Sequence, residues 1–138
     1  MTEQANVALM RDAYAKWGQD TALGEKHWLQ IISDDIAFWS IAEGAPGMEF
    51  SRDCACKDDM ARYFRELAED WELGHFTMRE FVTQGDTVVS IGDCSWRHRR
   101  TGKTCHTPKI DIARIRDGKI VSYREFYDTA KALSAATS

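Results

Sequence analysis

The apolar positions of this chain change period once, near Gly74. Before that point they recur at helical spacing, and after it they alternate. In ANVALMRDAYAKWGQD, Val7, Met10, Tyr14 and Trp17 fall on one stripe, the mark of a helix that buries one face. Gly18 and the polar run behind it end that helix. GEKHWLQIIS predicts a second, shorter helix whose buried side carries Trp28, Leu29 and Ile32. DDIAFWSIA is rich in aromatic and β-branched residues and predicts a strand. EGAPGMEFSRDCAC mixes glycine, proline and polar residues, so a loop is expected there, at the rim of a pocket. A third helix is expected from about Lys57, with Asp58 and Asp59 suiting its positive end. Its apolar stripe, Met60, Tyr63, Phe64, Leu67 and Trp71, reads as core.

From His75 onward the segments HFTMREFVTQ, TVVSIGDCSWRHRR, KTCHTPKIDIARIR and KIVSYREFYD alternate with period two. QGD, TGK and RDGK stand between them, each with a glycine suited to a tight hairpin. Strands joined this way form an antiparallel meander. The tail TAKALSAATS is weakly helical and expected to fray. Helices followed by one meander make an α+β layout in a single domain, residues 1–138. A sheet this long twists and curls, and three helices fill only part of its hollow, which leaves a pocket for a small ligand.

Composition narrows the partners. Apolar residues at 43% and charged residues at 29% fit a folded domain and not a disordered chain. A net charge of -4 argues against nucleic acid. The run Arg97, His98, Arg99, Arg100 sits beside a turn and reads as a solvated hairpin end. No stretch approaches the ~20 apolar residues of a membrane span. The polar start, with Glu3, Gln4 and Asn6, is not a signal peptide, so a cytoplasmic protein with reduced cysteines is expected. Cys54 and Cys56 are too close for an easy disulfide; Cys94 and Cys105 read as small apolar residues, a cross-hairpin pairing being the alternative. CxxC and His-rich spacings are absent, as are a Gly-rich phosphate loop and a nucleophile elbow. The expected chemistry therefore uses neither metal nor cofactor.

The segments SDDIAFWSIAEG, TGK and RIRDGKIVSYREFYDT resemble the nuclear transport factor 2-like superfamily, in particular its SnoaL-like polyketide cyclase and ketosteroid isomerase-related branch. The likeness runs from about Val7 to Ala130. It implies a cone-shaped, cystatin-like roll, with the three helices packed in the concave face of a curved, mainly antiparallel sheet. The superfamily holds isomerases, cyclases, dehydratases, epoxide hydrolases and binding modules, so it marks fold better than reaction. Asp111 matches the position at which ketosteroid isomerases carry an oxyanion hydrogen-bond donor. Their general base matches Ser40, whose hydroxyl cannot take that role unaided. One Asp of the epoxide hydrolase set matches Glu125, but its partners fall on Gly92 and Cys94. The scytalone dehydratase pattern matches His75, His98 and Tyr14, with Ala15 in place of the orienting Asp.

Candidate catalytic residues follow. The strand of Asp111 is apolar on both faces, so alternation leaves its facing open; the resemblance turns Lys109, Asp111 and Ala113 inward. Glu125 shares the parity of Tyr123 and Tyr127, and two carboxylates on adjoining strands can divide acid and base roles. His75 and His98 are the side chains suited to proton transfer near neutrality. Tyr14 lies on the stripe of the first helix, where its hydroxyl must find a partner. Ser40, Trp39, Trp96, Tyr123, Tyr127 and Lys109 are the expected ligand contacts, with Met48 and Phe50 as wall or core. The expected activity is acid–base isomerisation, cyclisation or dehydration of a hydrophobic carbonyl compound. The rival readings are a non-catalytic binding module with the same pocket and a structural dimerisation domain. Ile110, Ile112 and Phe126 would expose apolar surface on the outer sheet face, which predicts a homodimer through that face.

Overall fold

A computed structural model describes residues 2–138. Helix α1 (Glu3–Gln19) starts at Thr2, whose hydroxyl accepts from the Ala5 amide at 3.0 Å. Helix α2 (Thr21–Ile31) follows at once, capped by Asp20. The two cross so closely that a Cβ on Gly24 would stand 2.5 Å from the Trp17 Cα, so only glycine fits there. Strand β1 (Ile32–Ser40), a loop with one 3₁₀ turn (Glu49–Ser51) and helix α3 (Lys57–Asp70) complete the first half. The third helix thus comes after the first strand. Trp71, expected at the end of α3, instead opens β2.

Strands β2 (Trp71–Gln84), β3 (Thr87–His98), β4 (Thr104–Arg116) and β5 (Lys119–Tyr127) form the expected meander. Asp117 and Gly118 have φ of 51° and 75°, the double positive φ that a two-residue hairpin turn needs. Strand β1 adds to β5 in parallel, so the curved, unclosed sheet runs β1-β5-β4-β3-β2 and is mixed. The α+β class holds, with a fourth helix. That helix, α4 (Thr129–Ala136), is capped by Asp128 and buries Ala132, Ala135 and Ala136.

The basic run beside the β3–β4 turn does more than face water. Arg100 donates to the Ala136 carbonyl at 2.5 Å, and Lys103 to that of Thr137 at 2.6 Å. Arg99 donates to the Ala68 carbonyl at 2.9 Å. These cations therefore hold the negative C-terminal ends of α4 and α3, where unpaired carbonyls otherwise need water. The tail expected to fray is tied down by Arg100 of that run and by Lys103 just beyond it.

Met10 from α1, Ile36 from β1, Val88 from β3 and Ile120 from β5 are fully buried and form the floor between helices and sheet. Among the described residues no helix is long and apolar enough to cross a membrane.

Candidate active site

Between the helices and the inner sheet face lies a cavity. The space within it open to the centre of a water-sized sphere is about 100 Å³, several times what one water needs. Trp28, Phe38, Phe64, Phe76 and Trp96 are among the aromatic side chains of its wall. The polar side chains gather on β4 and β5. Strand alternation brings Lys109 and Asp111 to the inner face of β4, and Tyr123, Glu125 and Tyr127 to that of β5. The register sets Asp111 opposite Glu125 and Lys109 opposite Tyr127. Two helices each add one hydroxyl: Tyr14 from α1, stacked on Phe76 and edge-on to Trp28, and Tyr63 from α3, edge-on to Phe38 and Phe50.

These groups form one continuous hydrogen-bonded chain. The Asp111 Oδ2 accepts from Tyr123 at 2.6 Å and from Tyr14 at 2.9 Å, and the two hydroxyls stand 3.0 Å apart. Three oxygens thus form a triangle with only two hydroxyl protons to share. The Lys109 ammonium donates to Asp111 Oδ1 and, at 3.2 Å, to Glu125 Oε2. The Tyr63 hydroxyl lies 3.0 Å from each Glu125 oxygen and closes the chain on the far side. Asp111 takes three donors, whereas Glu125 takes two, one of them a single proton spread over both oxygens. A carboxylate has about four acceptor sites, so Glu125 keeps the freer lone pairs.

Burial alone would lower the Lys109 pKa, but the charges of Asp111 and Glu125 outweigh it and carry it above the usual lysine range. Burial pushes Tyr14, Tyr63 and Tyr123 well up, and the adjacent carboxylates push the same way. Tyr127 is raised by burial and then by Glu125. All four tyrosines are therefore neutral hydrogen-bond donors at ordinary pH. The Tyr127 hydroxyl is buried without a hydrogen-bond partner.

The structure brings Tyr14, Asp111, Glu125, Lys109, Tyr123, Tyr127 and Trp96 to this cavity. It leaves the two histidines outside. A register shift in β2 between Leu73 and His75 puts Phe76 inward, opposite Cys94. His75 consequently faces out, with its Nε2 at 2.8 Å from Asp93. His98 is buried at the far end of β3, edge-on to Trp71, and its Nδ1 accepts from the Thr101 amide at 3.4 Å. Burial first, then Arg100, lowers its pKa. Neither histidine can share a substrate with Tyr14. Trp39 also faces out and packs on Phe126, because alternation gives the inner face of β1 to Phe38 and Ser40. Ser40 is fully buried with no hydrogen-bond partner, but it does not line the cavity. Met48 and Phe50 do line it. Tyr63 was hidden in the sequence, because the apolar stripe of α3 accounts for it without its hydroxyl.

The SnoaL-like domain matches residues 10–123, and the chain belongs to that family. A structure of an NTF2-like protein from Burkholderia thailandensis is 26% identical over the whole of both chains, with a TM-score of 0.82. TerC, crystallised with polyporic acid, is 20% identical over 96% of this chain and 98% of its own, with a TM-score of 0.79. A Jannaschia protein provisionally named a SnoaL-like polyketide cyclase is 14% identical over 97% of this chain and 92% of its own, with a TM-score of 0.77. At such identities the last two show a shared fold. No curated protein matches the chain.

Proposed function

We propose that the protein is an acid–base enzyme that isomerises, cyclises or dehydrates a small hydrophobic carbonyl compound. The observation that carries this reading is the chain Tyr14/Tyr123–Asp111–Lys109–Glu125–Tyr63 set into the wall of an otherwise aromatic cavity. Three buried charges add little to stability, because well-packed apolar side chains of the same volume serve as well or better. Such clusters in a cavity are where proton chemistry is done.

The division of labour follows from the donors. Glu125, with free lone pairs, takes the proton from the carbon beside the carbonyl. Tyr14, the more distant of the two hydroxyls on Asp111, turns its proton to the substrate oxygen, while Tyr123 stays on Asp111. Negative charge then moves from Glu125 to that oxygen, and the Lys109 ammonium between the two carboxylates compensates it throughout. A ring-shaped apolar substrate fits the aromatic walls, and the unpartnered Tyr127 hydroxyl can take a second polar group.

The test is deuterium exchange at the α-carbon of cyclic enolisable ketones and aldehydes, followed by NMR. Glu125→Gln is expected to slow exchange ~10²–10⁴-fold, the range for a general base, and Asp111→Asn to slow it less. Exchange that is unchanged in both variants defeats the assignment. One observation favours a second reading, a non-catalytic binding module: Asp111 already has three donors and needs none from a ligand. A co-purified ligand recovered chemically unchanged, with no exchange in any screen, supports that alternative.

A further inference from the structure

The outer sheet face carries a second cluster that the cavity chemistry does not use. His75 on β2, Asp93 on β3 and His106 on β4 each offer one ligand atom, and all three atoms lie within 4.8 Å of one another. The strands impose this grouping. Ser95 pairs with His75 on one side and with His106 on the other, and Asp93 follows two residues along on the same face. The two imidazole rings are already edge to face, with centroids 5.3 Å apart. Sequence spacing could not show the cluster, because its members come from three different strands.

We propose that His75 Nε2, Asp93 Oδ1 and a ring nitrogen of His106 form a site for a divalent transition-metal ion of the zinc, cobalt or nickel class. Imidazole and carboxylate together suit those ions. Bond lengths of about 2.0–2.2 Å set ligand atoms around one ion about 3–4 Å apart, so rotations of roughly an ångström assemble the triad. The surroundings support the choice of atoms. The Ser95 hydroxyl lies 3.0 Å from His75 Nδ1 and also accepts the His75 backbone amide at 3.2 Å. His75 Nε2 lies 2.8 Å from Asp93 Oδ1, the distance of a hydrogen bond whose proton an incoming cation displaces, leaving the ring with its Nδ1 proton on Ser95. This is the outer-shell support usual for metal-bound histidine, which fixes ring and tautomer. Arg79 donates to Asp93 Oδ2 at 2.7 Å and, with its second terminal nitrogen, to Oδ1 at 3.4 Å; its charge opposes a bound cation. In the single chain the open side of the triad faces solvent, so water completes the coordination there.

The experiment titrates the full chain with zinc chloride by calorimetry and with cobalt chloride by visible absorption. One ion per chain is expected, with cobalt bands of nitrogen and oxygen coordination and no thiolate charge-transfer band. His75→Gln and His106→Gln should each weaken binding at least ~10-fold, Ser95→Ala by ~10-fold or more, and Arg79→Gln should strengthen it. Cys56→Ser should change nothing. Absence of binding, a thiolate band, loss of binding in Cys56→Ser, or equal affinity in both histidine variants and the unaltered chain overturns the proposal. The cobalt spectrum of the unaltered chain decides the case even where a variant folds poorly.

Discussion

Replacing Lys109 with methionine tests the charge architecture most directly. The ammonium is 7% exposed, and the carboxylates that it bridges, Asp111 and Glu125, are 1% and 6% exposed at their side chains. Methionine keeps most of the volume and removes the charge, so two buried carboxylates are left facing each other in register. Stripping one partner from a buried ion cluster costs about 3–5 kcal/mol. That is a large part of the ~5–15 kcal/mol that holds a domain folded. For a chain of 138 residues it corresponds to a fall in Tm of roughly 10–20 °C. The assay is urea denaturation at neutral pH, with the slope compared to confirm that both proteins unfold to the same extent. The triple variant Lys109→Met, Asp111→Asn, Glu125→Gln carries no charge, and the tyrosines can still donate to the amide oxygens. It should recover much of the loss. A single variant within about 1 kcal/mol of the parent, or a triple variant no more stable than the single, would refute the reasoning.

The four tyrosines of the chain, Tyr14, Tyr63, Tyr123 and Tyr127, all line the cavity with raised pKa values. Because the folded pKa lies above the unfolded value near 10, their contribution to stability is complete below about pH 10 and is lost as pH rises through the folded values. Tyrosinate absorbance should therefore be absent at pH 10 and emerge together with alkaline unfolding; a smooth titration centred on pH 10 contradicts it. A Cβ on Gly92 would stand 2.7 Å from the Met78 Cα of the neighbouring strand, so Gly92→Ala should destabilise the chain by more than the ~1 kcal/mol of an ordinary substitution, as read by thermal melting. On the outer face Ile110 is 39% exposed and Val82 56%, with Ile112 and Phe126 beside them; a homodimer through this face is expected, and light scattering that finds a monomer at micromolar concentration rules it out.

The meander was legible because its turns are chemically marked: Asp117-Gly118 announces a hairpin whatever surrounds it. The helices were legible from their stripes, although α3 ran on to Trp71 because an aromatic residue at helical spacing looks the same at the start of a strand. Facing was harder. The strand of Asp111 is apolar on both sides, and its inward turn is fixed by pairing with Glu125 and by Tyr14 reaching across from α1. His75 was misplaced for a related reason: a one-residue shift in register reverses every side chain, and the shift between Leu73 and His75 is marked locally by Gly74 alone, a residue that signals a bulge without saying which side chains it turns inward. The basic run looked idle because its partners, the carbonyls of Ala68, Ala136 and Thr137, lie about thirty or more positions away in the chain.

The triangle formed by Tyr14, Tyr123 and Asp111 has three edges and two protons. One edge is always vacant, and little heavy-atom movement is needed to change which one. An arriving carbonyl can be met by a hydroxyl proton, and an arriving enol can hand its own proton to the vacancy. If the protein acts as proposed, the same pocket geometry would accommodate both tautomers of one compound, and a single rigid site would bind the starting material and the product of a proton shift with comparable ease.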